Sequence, residues 1–117
     1  METESPVDFA VRAEREGRAW VVAPSGELDL SNADDVRARI VDRPEACDVL
    51  VLDLTGLTFL DTSGMRLAVE TLQETQIAGV RFALVRGSED VQRLFVLARL
   101  ETRLPFFDDV RAAIDDR

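Results

Sequence analysis

The residues Val49-Leu50-Val51-Leu52 form a continuous apolar run, and Asp53 follows at its carboxyl end. A strand that is buried on both faces of a parallel sheet has this pattern, so we predict that the run is the central strand. Further along, Thr62-Ser63-Gly64 opens the longest helical segment, and Gly79 stands where a C-cap residue is expected. A buried strand joined to a long helix is typical of an α/β fold.

Two further strands are predicted on the N-terminal side of this centre. Val7 to Ala13 has apolar side chains at every second position, the period-2 pattern of a strand with one buried face. Glu16-Gly17 is a turn signal, and Arg18 to Ala23 supplies a second strand that Pro24-Ser25-Gly26 ends. We therefore expect the two strands to pair as a hairpin.

Two helices flank the central strand. Ser31 is the predicted N-cap of the first helix, whose apolar stripe is Ala33, Val36 and Ile40. The buried face of the long helix is predicted to be Met65, Ala68, Val69 and Leu72. The opposite face would then carry Ser63, Leu67, Glu70 and Glu74. Leu67 is therefore expected to be exposed beside Ser63, where it would be an anchor for a protein partner.

Strand and helix alternate again toward the C-terminus. A strand through Val80, Phe82 and Leu84 is followed by a helix that Ser88 caps, with Val91, Leu94, Phe95 and Ala98 at core spacing. Leu104 to Phe107 is a short strand, and Asp108 is the predicted cap of the last helix. The order ββαβαβαβα predicts a mostly parallel central sheet covered by helices.

Composition bounds the class of protein. The chain has 117 residues, of which 46% are apolar and 32% charged, so we expect one domain over residues 1–117 with flexible ends at 1–6 and 115–117. The net charge of −9 argues against nucleic acid or an anionic membrane surface as the main partner. No apolar run approaches the roughly 20 residues of a membrane span, and a cytoplasmic protein is expected.

Several kinds of chemistry are excluded by the residues that the sequence lacks. It contains no His, Tyr or Lys, so all fourteen basic residues are Arg. A Ser-His triad, an imidazole metal site, a P-loop lysine and a Schiff base are therefore impossible. Cys47 stands alone and is interpreted as a small buried hydrophobe. We predict no catalytic residue, no metal site and no cofactor.

Loops at the carboxyl ends of parallel strands are where ligands and partners usually meet such a sheet. Two loops there stand out, Gly26 to Asp29 and Phe59 to Gly64. Within the second, Ser63 lies close to the N-terminus of the long helix, where free backbone amides tolerate negative charge. It is either an ordinary helix cap or a phosphorylation switch, since a phosphate adds about 1.5 to 2 negative charges.

Several of these stretches also carry a resemblance to a known family. They are Gly26-Glu27-Leu28-Asp29, Val51-Leu52-Asp53-Leu54, Phe59-Leu60-Asp61-Thr62-Ser63-Gly64, Val91-Gln92-Arg93-Leu94 and Leu104-Pro105-Phe106-Phe107. In this order they resemble a STAS domain, specifically a bacterial anti-sigma factor antagonist. The resemblance spans roughly Val7 to Ile114 and implies a STAS-like fold.

The resemblance implies a partner switch without catalysis by this chain. The unphosphorylated form would bind an anti-sigma factor, often itself a Ser/Thr protein kinase, and release the sigma factor, while phosphorylation would block binding and a Ser/Thr phosphatase would reverse it. Ser63 matches the phosphoacceptor, Asp61 the acidic residue before it, and Glu27 and Asp29 a loop at the partner surface. A monomer or weak dimer is expected.

The motif departs from the common family pattern Asp-Ser-Ser-Gly-Leu-Gly at Thr62, Met65 and Arg66. Thr62 is therefore a rival phosphoacceptor and a further candidate contact. Arg66 lies three residues after Ser63, where it would pair with a phosphate, meet an acidic partner or remain solvated. Glu70, on the same predicted face, completes the candidate partner-binding residues.

Other functions remain open at this point. A STAS chain can be the cytoplasmic subunit of a lipid ABC transporter, in which case Ser63 would be only a helix cap. Asp53 at the end of the central strand stands where a response-regulator receiver has its phosphate-accepting Asp. A receiver also needs a Lys, which this sequence lacks, so we favour the interpretation of Asp53 as a turn residue. A carboxylate hydrolase using Asp53 and Asp61 has no supporting feature, and nucleotide binding has no phosphate-binding glycine loop.

Overall fold

The computed structural model describes residues 9–116. Val7 and Asp8 of the predicted first strand, the predicted flexible end at 1–6 and Arg117 lie outside these residues. The strands are β1 Ala10–Glu16, β2 Ala19–Leu28, β3 Val49–Asp53, β4 Gly56–Leu60, β5 Arg81–Val85 and β6 Phe106–Phe107. The helices are α1 Ala33–Val41, α2 Thr62–Ala78, α3 Glu89–Leu97 and α4 Val110–Asp115.

The sheet is mostly parallel, as predicted. β1 and β2 form the antiparallel hairpin, and Gly17 turns between them with φ of +62°. The remaining pairs are parallel: β2 with both β3 and β4, β3 with β5, and β5 with β6. β3 is therefore central, which confirms the interpretation of the run Val49 to Leu52 as a strand covered on both faces.

Alternate side chains of β3 point into two different apolar layers. Leu50 and Leu52 pack with α1, α2 and α3 in the larger layer, whereas Val49 and Val51 pack with α4 on the other face. The predicted stripe of α1, Ala33, Val36 and Ile40, is buried in the larger layer. Among residues 9–116, no helix has the length and apolar character needed to cross a membrane.

The structure has one strand that the predicted order lacks. This strand is β4, which includes part of the segment before α2 that was predicted to be a loop. It pairs in parallel with the second half of β2, which runs on to Leu28 instead of ending at Pro24-Ser25-Gly26. Gly26 is opposite Leu57 and Glu27 is opposite Phe59, so an extra residue bulges out of β4 between these pairs. The observed order is ββαββαβαβα.

Helix ends agree with the sequence in part. Gly79 is left-handed at the end of α2, and the Ser88 side chain accepts a hydrogen bond from the Val91 amide, both as predicted. The other two caps are displaced by one residue. Asn32, rather than Ser31, precedes α1, and Asp109, rather than Asp108, caps α4.

Candidate functional site

The start of α2 is held by the Asp61 carboxylate. Its Oδ1 accepts hydrogen bonds from the amides of Ser63 at 2.8 Å and Gly64 at 3.4 Å, and its backbone carbonyl accepts from Gly64 and Met65. Asp61 is therefore the N-cap, and the interpretation of Ser63 as the cap is wrong. Ser63 is the second residue of the helix and is half-buried, whereas Thr62 before it is exposed.

The loop from β2 to α1 lies against this helix start. The amide of Asp61 donates to the carbonyl of Leu28 at 3.1 Å, because Leu28 and Leu60 are partners in the parallel pair of β2 and β4. Asp29 follows Leu28 and Asp61 follows Leu60, so the two aspartates lie at neighbouring strand ends. The structure brings together the two loops that the sequence singled out.

Hydrogen bonds within the β2–α1 loop fix its shape. The Asp29 carboxylate accepts from the amide and the hydroxyl of Ser31, at 3.0 and 2.6 Å. The Asn32 side chain accepts from the Asp29 amide and donates to the Glu27 carbonyl. Asp29 thus has a structural role in the turn, and the Glu27 side chain is exposed. Asn32 was not singled out in the sequence, although Asn is a common residue of such turns.

Gly64 allows α2 to approach the sheet closely at this point. A Cβ on Gly64 would lie 3.0 Å from Leu60 Cδ1 and 3.1 Å from Leu28 Cδ2. These distances are tighter than ordinary contact, so a larger residue would push against both strand ends. The absence of a side chain at Gly64 therefore sets how near Ser63 stands to the strands.

The prediction that Leu67 is exposed is wrong. Its side chain is 0% exposed and packs in the larger apolar layer. The buried residues of α2 are Gly64, Leu67, Ala68, Thr71 and Thr75, while Met65, Val69 and Leu72 are only half-buried. The Thr71 and Thr75 hydroxyls donate to the backbone carbonyls of Leu67 and Thr71, at 2.7 and 2.8 Å, so two polar residues fit the core. Leu67 therefore has no exposed surface with which to contact a partner.

The charged residues farther along α2 differ in their surroundings. Glu70 forms an ion pair with Arg37 of α1 at 3.1 Å, and Glu74 pairs with Arg43 one turn further on. These pairs join α1 and the segment that follows it to α2. Arg66 is exposed, and it makes no ion pair with any of the residues 9–116. It is also the one basic residue in the sequence of α2.

Two exposed apolar side chains near these loops were missed in the sequence. Leu30 follows Asp29 and is 79% exposed, and Phe59 is 44% exposed beside Glu27, its register partner. Leu30 precedes the predicted cap Ser31, and Phe59 opens the predicted loop from Phe59 to Gly64, so both are apolar residues outside every predicted helix and strand. That placement is the signal that would have found them.

Other chemically active groups have structural roles. Asp53 Oδ1 accepts a hydrogen bond from the Thr55 amide at 3.0 Å, which confirms it as a turn residue. Cys47 is buried, as predicted, and burial raises the pKa of its thiol. Within residues 9–116, no three His, Cys, Asp or Glu side chains are grouped so that they would hold a metal ion.

Comparison with known proteins adds to this geometry. The family model of the STAS domain matches residues 10–113. The chain belongs to the STAS domain family. This confirms the resemblance stated from the sequence, and the mostly parallel sheet flanked by helices is the fold expected of it.

Relatives of this STAS domain carry a consistent description. The anti-sigma F factor antagonist of Paenibacillus polymyxa is 26% identical over 105 residues, covering 88% of this chain and 90% of that protein. An anti-sigma factor antagonist from Mycobacterium paratuberculosis has the same fold, with a TM-score of 0.78, 23% identity and 96% coverage of both chains.

A third relative has been solved in two states of modification. The anti-sigma factor antagonist SpoIIAA in its unphosphorylated form has a TM-score of 0.73 at 25% identity, over 91% of this STAS domain and 94% of that chain. The phosphorylated form of Bacillus SpoIIAA has a TM-score of 0.68 at 25% identity, over 91% and 97%. Phosphorylation is therefore described for a relative that spans nearly the whole domain.

Removing the cap is expected to loosen the start of α2. Asp61→Ala deletes the acceptor of the Ser63 and Gly64 amides, and loss of an N-cap side chain lowers the free energy of unfolding by about 1 kcal/mol. Urea unfolding followed by circular dichroism should give a lower midpoint with an unchanged slope. Thr62→Ala is the matched control at the exposed neighbouring position. Equal midpoints for the two variants would contradict the capping role of Asp61.

Proposed function

We propose that this STAS domain is an anti-sigma factor antagonist that binds its anti-sigma factor while Ser63 is unphosphorylated. The observation that carries the proposal is the position of Ser63, half-buried on the first turn of α2 where the β2–α1 loop meets Asp61. A group added to this hydroxyl stands among residues of two loops and leaves the apolar core undisturbed. Phosphorylation of Ser63 then blocks binding.

The covalent step is a phosphoryl transfer that the partner catalyses. The Ser63 Oγ attacks the γ-phosphorus of a nucleoside triphosphate held by a Ser/Thr kinase, the bond to the bridging oxygen breaks, and the diphosphate leaves. A base on the kinase takes the hydroxyl proton. A Ser/Thr phosphatase reverses the modification by directing water at phosphorus, which restores the hydroxyl and releases inorganic phosphate. This chain is a substrate in both steps, in the cytoplasm.

The surface proposed to contact the partner surrounds Ser63. Six of the predicted residues remain in it: Glu27, Asp29, Asp61, Thr62, Arg66 and Glu70. Glu70 also forms an ion pair with Arg37. Leu30 and Phe59 take the place of Leu67 as the apolar part of this surface, because both are exposed. Four of its members are carboxylates, so the matching face of the anti-sigma factor should carry basic side chains around an apolar recess.

A capture experiment tests the class of function. Wild type, Ser63→Ala and Ser63→Asp are immobilised separately, and lysate of the native host is passed over each before the bound proteins are identified by mass spectrometry. A small ATPase-type kinase retained by wild type and Ser63→Ala but lost with Ser63→Asp is the expected result. Lipid ABC transporter components held equally by all three would overturn the proposal in favour of a transport subunit.

A further inference from the structure

Three backbone amides at the start of α2 offer little to a phosphate on Ser63. The amides of Ser63 and Gly64 already donate to the Asp61 carboxylate, and that of Met65 donates to the Asp61 carbonyl. A helix N-terminus attracts an anion mainly through free amides. Because these three amides are in use, a phosphate at this position gains from a donor on a side chain.

Arg66 is placed to be that donor. It lies three residues after Ser63 on the same helix, a spacing that puts Cβ atoms about 5–6 Å apart. Side chains of a helix also lean toward its N-terminus, which directs the guanidinium of Arg66 back toward Ser63. Arg37 of α1 and Arg43, two residues past its end, are already paired with Glu70 and Glu74, whereas Arg66 is exposed and unpaired within residues 9–116.

We propose that Arg66 binds the phosphate of phosphorylated Ser63 through its guanidinium, so that phosphorylation also withdraws Arg66 from the partner surface. The proposal rests on the proposed function for the identity of the modified residue. A guanidinium matches two phosphate oxygens with two parallel N–H donors, and such charge-assisted pairs are the strong ones.

The charges around Ser63 explain why such a pair matters. Asp61 lies two residues before it, Glu70 two turns after it, and Asp29 in the adjoining loop. Each of these carboxylates disfavours the doubly charged phosphate, whereas Arg66 favours it. In the unphosphorylated chain the same guanidinium is available to an acidic group of the partner. The Ser63 phosphate and the acidic group of the partner therefore compete for Arg66. Phosphorylation of Ser63 determines which of the two it binds.

Phosphorus NMR of the chain carrying genetically encoded phosphoserine at position 63 tests the pair directly. An adjacent arginine lowers the second pKa of phosphoserine, which is near 6 in the absence of such a neighbour. We expect this pKa to be about 0.5 unit lower with Arg66 present than in Arg66→Gln, with Arg66→Lys in between. Arg111→Gln, an exposed arginine on the opposite face of the sheet, should leave it unchanged.

The outcome that overturns the inference is an equal phosphate pKa in wild type and Arg66→Gln. Equal melting temperatures of the unphosphorylated variants would show that the substitution acts on the phosphate and leaves the fold intact. No partner protein is present in the titration. If the capture experiment fails, the titration still reports on Arg66, and if the titration fails, the partner switch at Ser63 can still hold.

Discussion

Ser63→Asp is expected to weaken binding of the purified anti-sigma factor by about 100-fold, which corresponds to about 2.7 kcal/mol. Ser63→Ala is expected to bind within a few-fold of wild type, because it adds neither charge nor bulk. Isothermal titration calorimetry at physiological salt would measure both affinities. The change arises at the interface, since position 63 is on the surface of a capped helix whose Asp61 bonds involve backbone amides alone.

The magnitude follows from what docking does to the solvent around the new carboxylate. Two unit charges about 6 Å apart repel by about 0.7 kcal/mol in water and by about 2.8 kcal/mol at an effective dielectric near 20. A partner that covers Ser63 excludes water between position 63 and Asp61, so the repulsion grows on binding by about 2 kcal/mol, and lost packing around the bulkier side chain supplies the rest. A phosphate carries nearly two charges and is bulkier, and its effect should be larger still.

Thr62→Asp is the control that separates position from charge. It adds the same charge one residue earlier, on a side chain that is exposed instead of half-buried. A smaller loss of affinity for Thr62→Asp than for Ser63→Asp would identify Ser63 as the sensitive position. Equal affinities of Ser63→Ala and Ser63→Asp, with both variants folded, would eliminate the proposed switch.

Leu67→Ala is expected to lower the free energy of unfolding by about 3 kcal/mol, because truncating a fully buried leucine leaves a cavity in a packed layer. A loss of this size is a large part of the 5–15 kcal/mol that is typical of a domain. The melting temperature should fall by roughly 10 °C. Differential scanning calorimetry would measure the shift.

The matched control for Leu67 lies on the same helix. Ile77 is 89% exposed, so Ile77→Ala should change the free energy of unfolding by less than about 0.5 kcal/mol. A Leu67→Ala variant as stable as Ile77→Ala, but impaired in binding the anti-sigma factor, would reverse the conclusion. Leu67 would then be a partner contact after all.

Most of the framework could be predicted because the apolar pattern and the burial agree in it. Val49 to Leu52 is apolar at every position and is covered on both faces, and the α1 stripe of Ala33, Val36 and Ile40 is buried as its spacing indicated. The hairpin followed from the turn at Gly17. In these segments the spacing of apolar residues in the sequence matches the spacing at which the helix or strand places side chains on one face.

β4 escaped prediction for a geometric reason. Its buried residues, Leu57 and Leu60, are three positions apart, which is a helical spacing and not the spacing of two expected in a strand. The bulged residue between the Leu57 and Phe59 pairs adds the extra position. A register shift of this kind depends on the opposite strand, so the pattern within β4 does not reveal it.

The orientation of α2 was misjudged because two buried residues are polar. Thr71 and Thr75 satisfy their hydroxyls on the carbonyls of the preceding turn, which lets them occupy the core side. Counting apolar residues instead favoured the face of Met65, Val69 and Leu72, which is half-buried. The segment from Asp61 to Gly64 could still be located, since it depends on the order of strand and helix and not on which face is buried.

Gly64 has a mechanical consequence for the proposed switch. A methyl group at Gly64 would lie 3.0 Å from Leu60 Cδ1 and 3.1 Å from Leu28 Cδ2. This contact would push the first turn of α2 away from the sheet. The neighbouring Ser63 would rise or tilt with that turn. The lack of a side chain at Gly64 thus fixes the distance of the Ser63 hydroxyl from the sheet. A kinase whose active site matches that distance would reach Ser63 without a conformational change in the domain.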